Sequence, residues 1–549
     1  MHKYLLAAAV AALTVPAVAQ DRPAAVPIDT ARLTETVRTL ASDTFEGRAP
    51  GTRGEDRTIG YLIARLQGLG LEPGGKDGAW VQSVPLLHTR LGTPATLAAQ
   101  TRAGPLPLAF KQDIYVSTVR DADRAAIAAA PLVFVGYGVS APERKWDDFK
   151  GMDLKGKVAV FLVNDPDFEA TKGDKVAGTF GGKRMTYYGR WTYKFEEAAR
   201  RGAVGALIVH DTPGAGYGWN VVISPNGENY ALAGEDTPLQ LQGWLSGDAA
   251  SRLFAGAGMD LAKLRVAARS AAFKAVAMNG ATFTADVPVT RETVTSHNVL
   301  AKIPGTAAAD EAVMFGAHWD AYGAGPADAQ GRIYRAGAND DALGVAGLLE
   351  IARRFKAAPA PRRSVLFGFW TAEERGLLGS EFYARNPTFP LDKTVANLTL
   401  DILQTAGPAR DTILVGEGQS SLEEDMAKAA AAQGRTVTPE NLPERGLFYR
   451  ADHFSFAKRG VPVLLQMGIA GASDLVTGGR PAGQAWIDAY TGKCYHQACD
   501  AWDPSWNLDG AAMDIDLLAR VGAGLADGAA WPTWKAGSEF RTLRPNPGK

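Results

Sequence analysis

Five short patches carry the residue types that bind metal: His318-Trp319-Asp320, Gly337-Ala338-Asn339-Asp340-Asp341, Glu373-Glu374, Asp401 and Cys494-Tyr495-His496. Together they offer two imidazoles, a carboxylate able to bridge, two terminal carboxylates and a spare glutamate. Imidazole and carboxylate are zinc ligands, and a glutamate left over can move a proton, so the set suits a two-zinc hydrolytic site. Taken singly, each patch has a blander reading. A His-x-Asp pair is usually a loop histidine with a satisfied ring, although Asp320, two residues on, could hold the second ring nitrogen of a ligating His318. Adjacent acids such as Asp340 and Asp341 usually cap the helix that follows. Gly337 just before them permits the tight backbone that a bridging carboxylate needs.

The elements around the patches favour the functional reading. Val313-Met314-Phe315-Gly316-Ala317 precedes His318, and Val365-Leu366-Phe367-Gly368-Phe369-Trp370 precedes the Glu373-Glu374 pair. Leu398-Thr399-Leu400 leads into Asp401. Each is an apolar run of strand length, so the acids and the histidine emerge from a core rather than from a solvated face. From about residue 294 onward, strand and helix patterns alternate. Helices are expected over Asp341–Phe355, Leu377–Arg385, Ser421–Gln433 and Leu508–Ala526. That order predicts an α/β fold, a mostly parallel mixed sheet flanked by helices, with ligands beyond the strand C-termini.

Residues 112–288 differ in texture. Short strands at Pro131–Val139, Lys157–Val163 and Gly202–Val209, a helix at Lys194–Arg201 and Gly-rich aromatic loops suggest an inserted β-rich α+β domain. None of the five patches lies in it. The expected division is a signal peptide over 1–19, an N-terminal part of the catalytic domain over 20–111, the insertion over 112–288, the main catalytic segment over 289–535 and a tail over 536–549.

Composition narrows the function classes. In 549 residues, 46% are hydrophobic and 21% charged, enough for an ordinary core. The net charge of −1, with no long basic block, argues against nucleic-acid binding. His2 and Lys3, the apolar run Leu5–Val15 and the small residues Ala17-Val18-Ala19 read as a secretory signal cleaved after Ala19. No cysteine follows that site, so no membrane anchor is expected and the mature protein is placed in the periplasm or outside the cell. Cys494 and Cys499 would then meet an oxidising compartment, and their spacing closes a small loop. A disulfide is the leading reading and metal ligation by both the rival. Oligomeric state is left open.

The joint order His-x-Asp, Gly-x-x-Asp-Asp, Glu-Glu, Asp, His resembles the co-catalytic zinc aminopeptidases, metallopeptidase family twenty-eight. Glu46-Gly47-Arg48-Ala49-Pro50-Gly51-Thr52, Thr371 to Ser380 and Tyr449-Arg450-Ala451-Asp452-His453-Phe454 share in the likeness, which covers about 28–111 and 289–530. The resemblance implies the zinc aminopeptidase (phosphorylase/hydrolase-like) fold, two Zn2+ per chain and peptide substrates. By it, His318, Asp340 and Asp401 hold one zinc. Asp340, Glu374 and His496 hold the other. Glu373 is the general base, Asp320 orients His318, and Tyr495 steadies the oxyanion. A cis peptide is implied after Asp340, and a disulfide spanning the His496 loop. Tyr449, Asp452 and His453 line the pocket; His453, for all its prominence, is not a ligand. The insertion resembles a protease-associated domain through Gly136-Tyr137-Gly138, Asp153 to Val158 and Ala198–Val209. Rival readings are a carboxypeptidase or dipeptidase on the same scaffold, with Arg375, Arg445 or Arg450 gripping a carboxylate, and a receptor-like protein without activity.

Overall fold

The computed structural model describes residues 26–234 and 236–545; the expected signal segment lies outside them. The catalytic lobe is built on a sheet in which Val463–Gln466, Thr394–Leu400, Ala308–His318 and Arg363–Trp370 run parallel in that spatial order. Val276–Ile303 then pairs antiparallel with Arg363–Trp370, and Val81–Leu91 antiparallel with Val276–Ile303. The parallel strands are buried along most of their length and mainly apolar, because both faces are covered. Val313, Phe315, Phe367 and Phe369 pack under the helices Thr30–Leu40, Leu343–Ala357 and Asp509–Asp527. Met314, Leu366 and Trp370 face a second cluster with Phe454 and Phe456.

Local chemistry explains the helix ends. The Asp29 carboxylate accepts the N–H groups of Ala31 and Arg32, capping Thr30–Leu40. Leu33, Val37 and Leu40 then repeat at helical spacing on its buried face. The mostly parallel mixed α/β sheet expected from the strand–helix alternation is the observed architecture.

A second lobe has its own core. Arg124–Phe134, Val158–Leu162, Gly205–Val209 and Leu241–Leu245 form its parallel sheet, with Ile114–Ser117 antiparallel at the edge. Two features differ from the sequence reading. The lobe's core begins upstream of residue 112: Thr96–Thr101 pairs with Thr282–Asp286 and carries Leu97 and Ala99 into it. The strand expected at Pro131–Val139 stops at Phe134, since Gly136 and Gly138 turn the chain with φ of 59° and 63°. One strand, Val276–Ile303, serves both lobes, pairing with Arg124–Phe134 at its start and Arg363–Trp370 at its end. After residue 535 the chain is docked, with Phe540 buried against Trp534 and Phe448.

Candidate metal centre

His318 is the last residue of its strand, Glu373 and Glu374 occupy the turn after Arg363–Trp370, and Asp401 directly follows Thr394–Leu400. All four stand at the carboxyl edge of the parallel strands, where side chains from neighbouring strands converge. Asp340 reaches the same edge from the turn Ala338–Ala342, before the helix Leu343–Ala357. Gly337 there has φ 53°, and a Cβ on it would lie 2.2 Å from the Asp340 carbonyl oxygen, so no larger residue fits. The Asp340–Asp341 peptide is cis. His496 arrives from the other side of the cleft on a short loop closed by Cys494 and Cys499, whose sulfurs are at bonding distance.

Two groups of ligand atoms result. One is His318, Asp340 and Asp401; the other is Asp340, Glu374 and His496; within each, the atoms lie within 4.8 Å of one another. Asp340 belongs to both. Its Oδ1 is 3.1 Å from His318 Nε2, and its Oδ2 is 3.4 Å from His496 Nε2. Glu374 Oε2 lies 3.3 Å from His496 Nε2, and Asp401 Oδ1 lies 4.0 Å from His318 Nε2. Glu373 belongs to neither group, but its Oε2 is 3.9 Å from His318 Nε2.

The surrounding residues fix these positions. His318 Nδ1 lies 3.1 Å from the Asp320 carbonyl oxygen and 3.6 Å from its carboxylate, which sets the tautomer that leaves Nε2 free to ligate. The Asp320 carboxylate also accepts the Glu373 N–H at 3.0 Å, tying the histidine strand to the glutamate turn. Residues missed by the sequence reading do similar work. The Asp500 carboxylate accepts the N–H groups of Asn339 and Asp340, and Asp341 accepts those of His318 and Gly344. Tyr322 Oη is 3.0 Å from His496 Nδ1. Arg48 is fully buried and donates to the carbonyls of Trp319, Ala336, Gly337 and Leu40. Through Arg48 the loop Glu46–Thr52 clamps both metal-bearing loops.

The electrostatics match a site built for cations. Burial pushes Asp401 up to about 8, with the charge of Asp340 adding to it. Burial likewise raises Glu373 and Glu374 well above the carboxylate range. Burial opposes the charged form of Asp340 too, yet the adjacent His318 and His496 imidazoles hold it below the usual range. His318 is raised because Glu373, Asp320 and Asp340 outweigh its burial, and burial lowers His496. Asp340 Oδ2 and Asp401 Oδ1 are buried and have no hydrogen-bond donor. A buried excess of carboxylate with orphaned oxygens costs several kcal/mol per ion, even after relaxation, unless cations meet it. Mixed His and carboxylate donors fit zinc.

The profile of peptidase family M28 matches residues 298–519, which span this whole ligand set. Among curated relatives, leupeptin-inactivating enzyme 1 of Streptomyces exfoliatus is 27% identical over 253 residues, 44% of this chain and 49% of that one. The probable lipoprotein aminopeptidase LpqL of Mycobacterium tuberculosis is 27% identical over 276 residues, 47% of this chain and 49% of its own. The chain thus spans about half the length of the curated relatives it matches. An aminopeptidase from Aneurinibacillus sp. strain AM-1 shares the fold, with a TM-score of 0.50, 20% identity, and 92% of this chain and 96% of that one covered.

The remaining candidate residues fall into two classes. Tyr495 packs against His496 with ring centroids 3.6 Å apart and the rings tilted by 37°, and it feels the charges of Asp340, Glu374 and Asp401. Asp452 is buried, and burial raises it to about 7; it faces the charge of His318 and Asp320. Tyr449 instead donates its hydroxyl to Glu539 at 2.5 Å and packs against Tyr187 of the second lobe. His453 lies fully buried, edge-on to Phe448 at 5.1 Å, in neither ligand group, and burial lowers it to about 3. His88, His210 and His297 contact Glu292, the Tyr217 carbonyl and Glu55, away from the site.

Proposed function

We propose that the chain is a zinc-dependent exopeptidase, in the first instance an aminopeptidase that removes N-terminal residues from peptides in the periplasm or outside the cell. The observation that carries this reading is the pair of ligand groups sharing Asp340, with Glu373 beside them and outside both. His318, Asp340 and Asp401 would hold one Zn2+, and Asp340, Glu374 and His496 the other. When bound, two zinc ions supply Lewis-acid polarisation of the scissile carbonyl and acidify the attacking water.

Glu373 then takes a proton from that water and passes it to the leaving amine. Its burial, which raises its proton affinity, supports that role. Asp320 and Arg48 keep the histidine and the glutamate turn in register. The Tyr495 hydroxyl donates to the oxygen that gains charge as the carbonyl is attacked. The second lobe, read as an inserted protease-associated domain, shapes one wall of the cleft.

The test is cleavage of a peptide mixture whose termini are free or blocked, with and without chelator. Loss of N-terminal residues only from peptides with a free amine, abolished by chelator, is expected. Glu373→Gln should lower turnover by about 10²–10⁴-fold, the usual span for a positioned acid–base group, while keeping two zinc ions per chain. Unchanged activity in that variant would refute the assignment.

A further inference from the structure

The turn that carries Glu373 is strained. Ala372, directly before it, is buried and left-handed, with φ 52° and ψ 35°. A residue with a Cβ stays in that conformation only where its neighbours hold it there. On one side the hold is the Asp320 carboxylate, which accepts the Glu373 N–H. On the other side it is Thr371. Its N–H donates to Asn298 Oδ1 at 3.1 Å, and its carbonyl accepts the Gly379 N–H at 3.0 Å. Its hydroxyl lies 2.5 Å from Ser296 Oγ.

That hydroxyl leads away from the metal centre to a buried acid. Ser296 Oγ donates to Glu55 Oε2 at 2.9 Å. An ionised carboxylate only accepts, so the Ser296 proton is committed to Glu55 and the Thr371 hydroxyl is the donor to Ser296. Glu55 also accepts the Gly51 N–H, and its Oε1 lies 2.9 Å from His297 Nδ1. One carboxylate thus gathers the loop Glu46–Thr52, the strand Val276–Ile303 and, through Ser296, the Glu373 turn.

A plainer role for Glu55 would be a helix cap. It lies in the first turn of the helix Arg53–Gly68, whose N-cap is Thr52. A capping glutamate at that position turns back to the N-cap N–H. Glu55 reaches Gly51 instead and directs its other acceptor sites at the strand. It is only 2% exposed, and its one ion-pair partner among the described residues is His297. A charged acceptor holds its donors roughly twice as firmly as a neutral one.

His297 completes the arrangement from the solvent side. Its ring is 32% exposed, so it exchanges protons with water. The hydrogen bond to Glu55 raises its proton affinity against the opposing effect of burial, and the charge of Asp56 adds to the rise. Its carbonyl accepts the Trp319 indole N–H at 2.9 Å, so the same residue also steadies the chain beside His318.

We propose that Glu55 is a positioning residue for the general base: it holds the Glu373 turn in register through Ser296 and Thr371, with His297 as its counter-ion. The proposal rests on the assignment of Glu373 as the base. It gives the N-terminal helix a part in turnover, although Glu55 belongs to neither ligand group.

The experiment uses the zinc-loaded full chain and one free-amine peptide that the wild type cleaves. Thr371→Val removes the hydroxyl with little change of shape and leaves the Ser296–Glu55 bond in place. It should lower kcat about 10- to 100-fold with KM nearly constant, the scale for a reacting group displaced by up to about 1 Å. Thr371→Ser restores the hydroxyl and should recover most of the loss, and Glu55→Gln should behave like Thr371→Val. Both variants should keep two zinc ions per chain; loss of zinc would assign the network to the metals and overturn the proposal. The deciding measurement is the double variant. With Glu373→Gln already present, Thr371→Val should cost less than about 2-fold, because the group it positions is gone. Losses that multiply in the double variant overturn the proposal and leave Glu373 as the base. Unchanged turnover in Glu373→Gln alone overturns the base assignment and this proposal with it. A lowered melting temperature, with kcat per folded molecule unchanged, would show that the network only supports the fold and would overturn the proposal too. The ion pair has a readout independent of turnover. By NMR the His297 ring should titrate above about 6.5 in the wild type and return toward that value in Glu55→Gln. Equal midpoints in the two proteins would refute His297 as the counter-ion.

Discussion

Arg48→Met tests whether the clamp between the N-terminal loop and the metal-bearing loops is real. The native guanidinium donates to four buried carbonyls, those of Trp319, Ala336, Gly337 and Leu40. It also faces Asp320, Asp500, Asp341 and Asp340, which offset its burial and leave it charged, lowered only to about 10. A buried carbonyl left without a donor costs about 1–3 kcal/mol, so four set a ceiling of about 4–12 kcal/mol. Water entering the vacated space relieves part of this, and removal of one partner from a buried charged network costs about 3–5 kcal/mol. A loss of about 4 kcal/mol is expected. Arg48→Lys keeps the charge but offers a compact ammonium in place of the planar fork, and should recover about half. Urea unfolding of the chelator-treated protein isolates this loss from metal linkage. Zinc competition assays on the loaded protein should show weaker binding of the ion held by His318, because the Trp319 carbonyl adjoins it. A change below about 1 kcal/mol, with zinc affinity unaltered, would refute the clamp.

Other expectations follow from the same geometry. Tyr495→Phe should cut kcat by about 10²-fold, with KM nearly constant, if its hydroxyl supports the transition-state oxygen; an equal fall in binding would point to packing on His496 instead. His453 is held near 3 by burial, against about 6.5 unfolded, so the unfolded chain takes up the proton first. The stability of neutral His453 is therefore intact above about pH 6.5 and is lost as pH falls toward 3. Between pH 7 and 5 this amounts to about 2 kcal/mol, and His453→Phe should lack that share of the slope; matching slopes would contradict the burial argument. Replacing Cys494 and Cys499 by Ser should cost about 2 kcal/mol for so short a loop and speed loss of the zinc held by His496 to chelator. A free-thiol titration that finds two thiols in the unreduced protein would contradict the cross-link itself.

How much of this was legible beforehand depends on the range of the interaction. His318, Glu373 and Asp401 could be placed at strand ends because an apolar run of strand length leaves its mark in adjacent residues. The helix Leu343–Ala357, expected over Asp341–Phe355, was legible for the same reason. The supports were not. Arg48 meets the carbonyl of a residue 271 positions away, and Asp500 accepts N–H groups 160 and 161 positions away. Contacts of that kind have no period and no neighbouring signal. Glu-Gly-Arg-Ala-Pro-Gly-Thr could have betrayed Arg48 only through its resemblance to relatives. Val276–Ile303 is not legible as one strand, because Arg291 and Glu292 interrupt its apolar pattern where it passes between cores.

The continuous strand Val276–Ile303 has a mechanical consequence. Its 28 residues have a contour length of roughly 90 Å, and both lobes are hydrogen-bonded to it along much of that length. Rotation of one lobe against the other is then not a matter of turning a few dihedrals in a linker. It requires breaking ladder bonds in a sheet, so the jaws of the cleft are braced at a fixed gape. Such a brace also merges the two cores into a single cooperative unit, and the protein should melt in one transition rather than lobe by lobe.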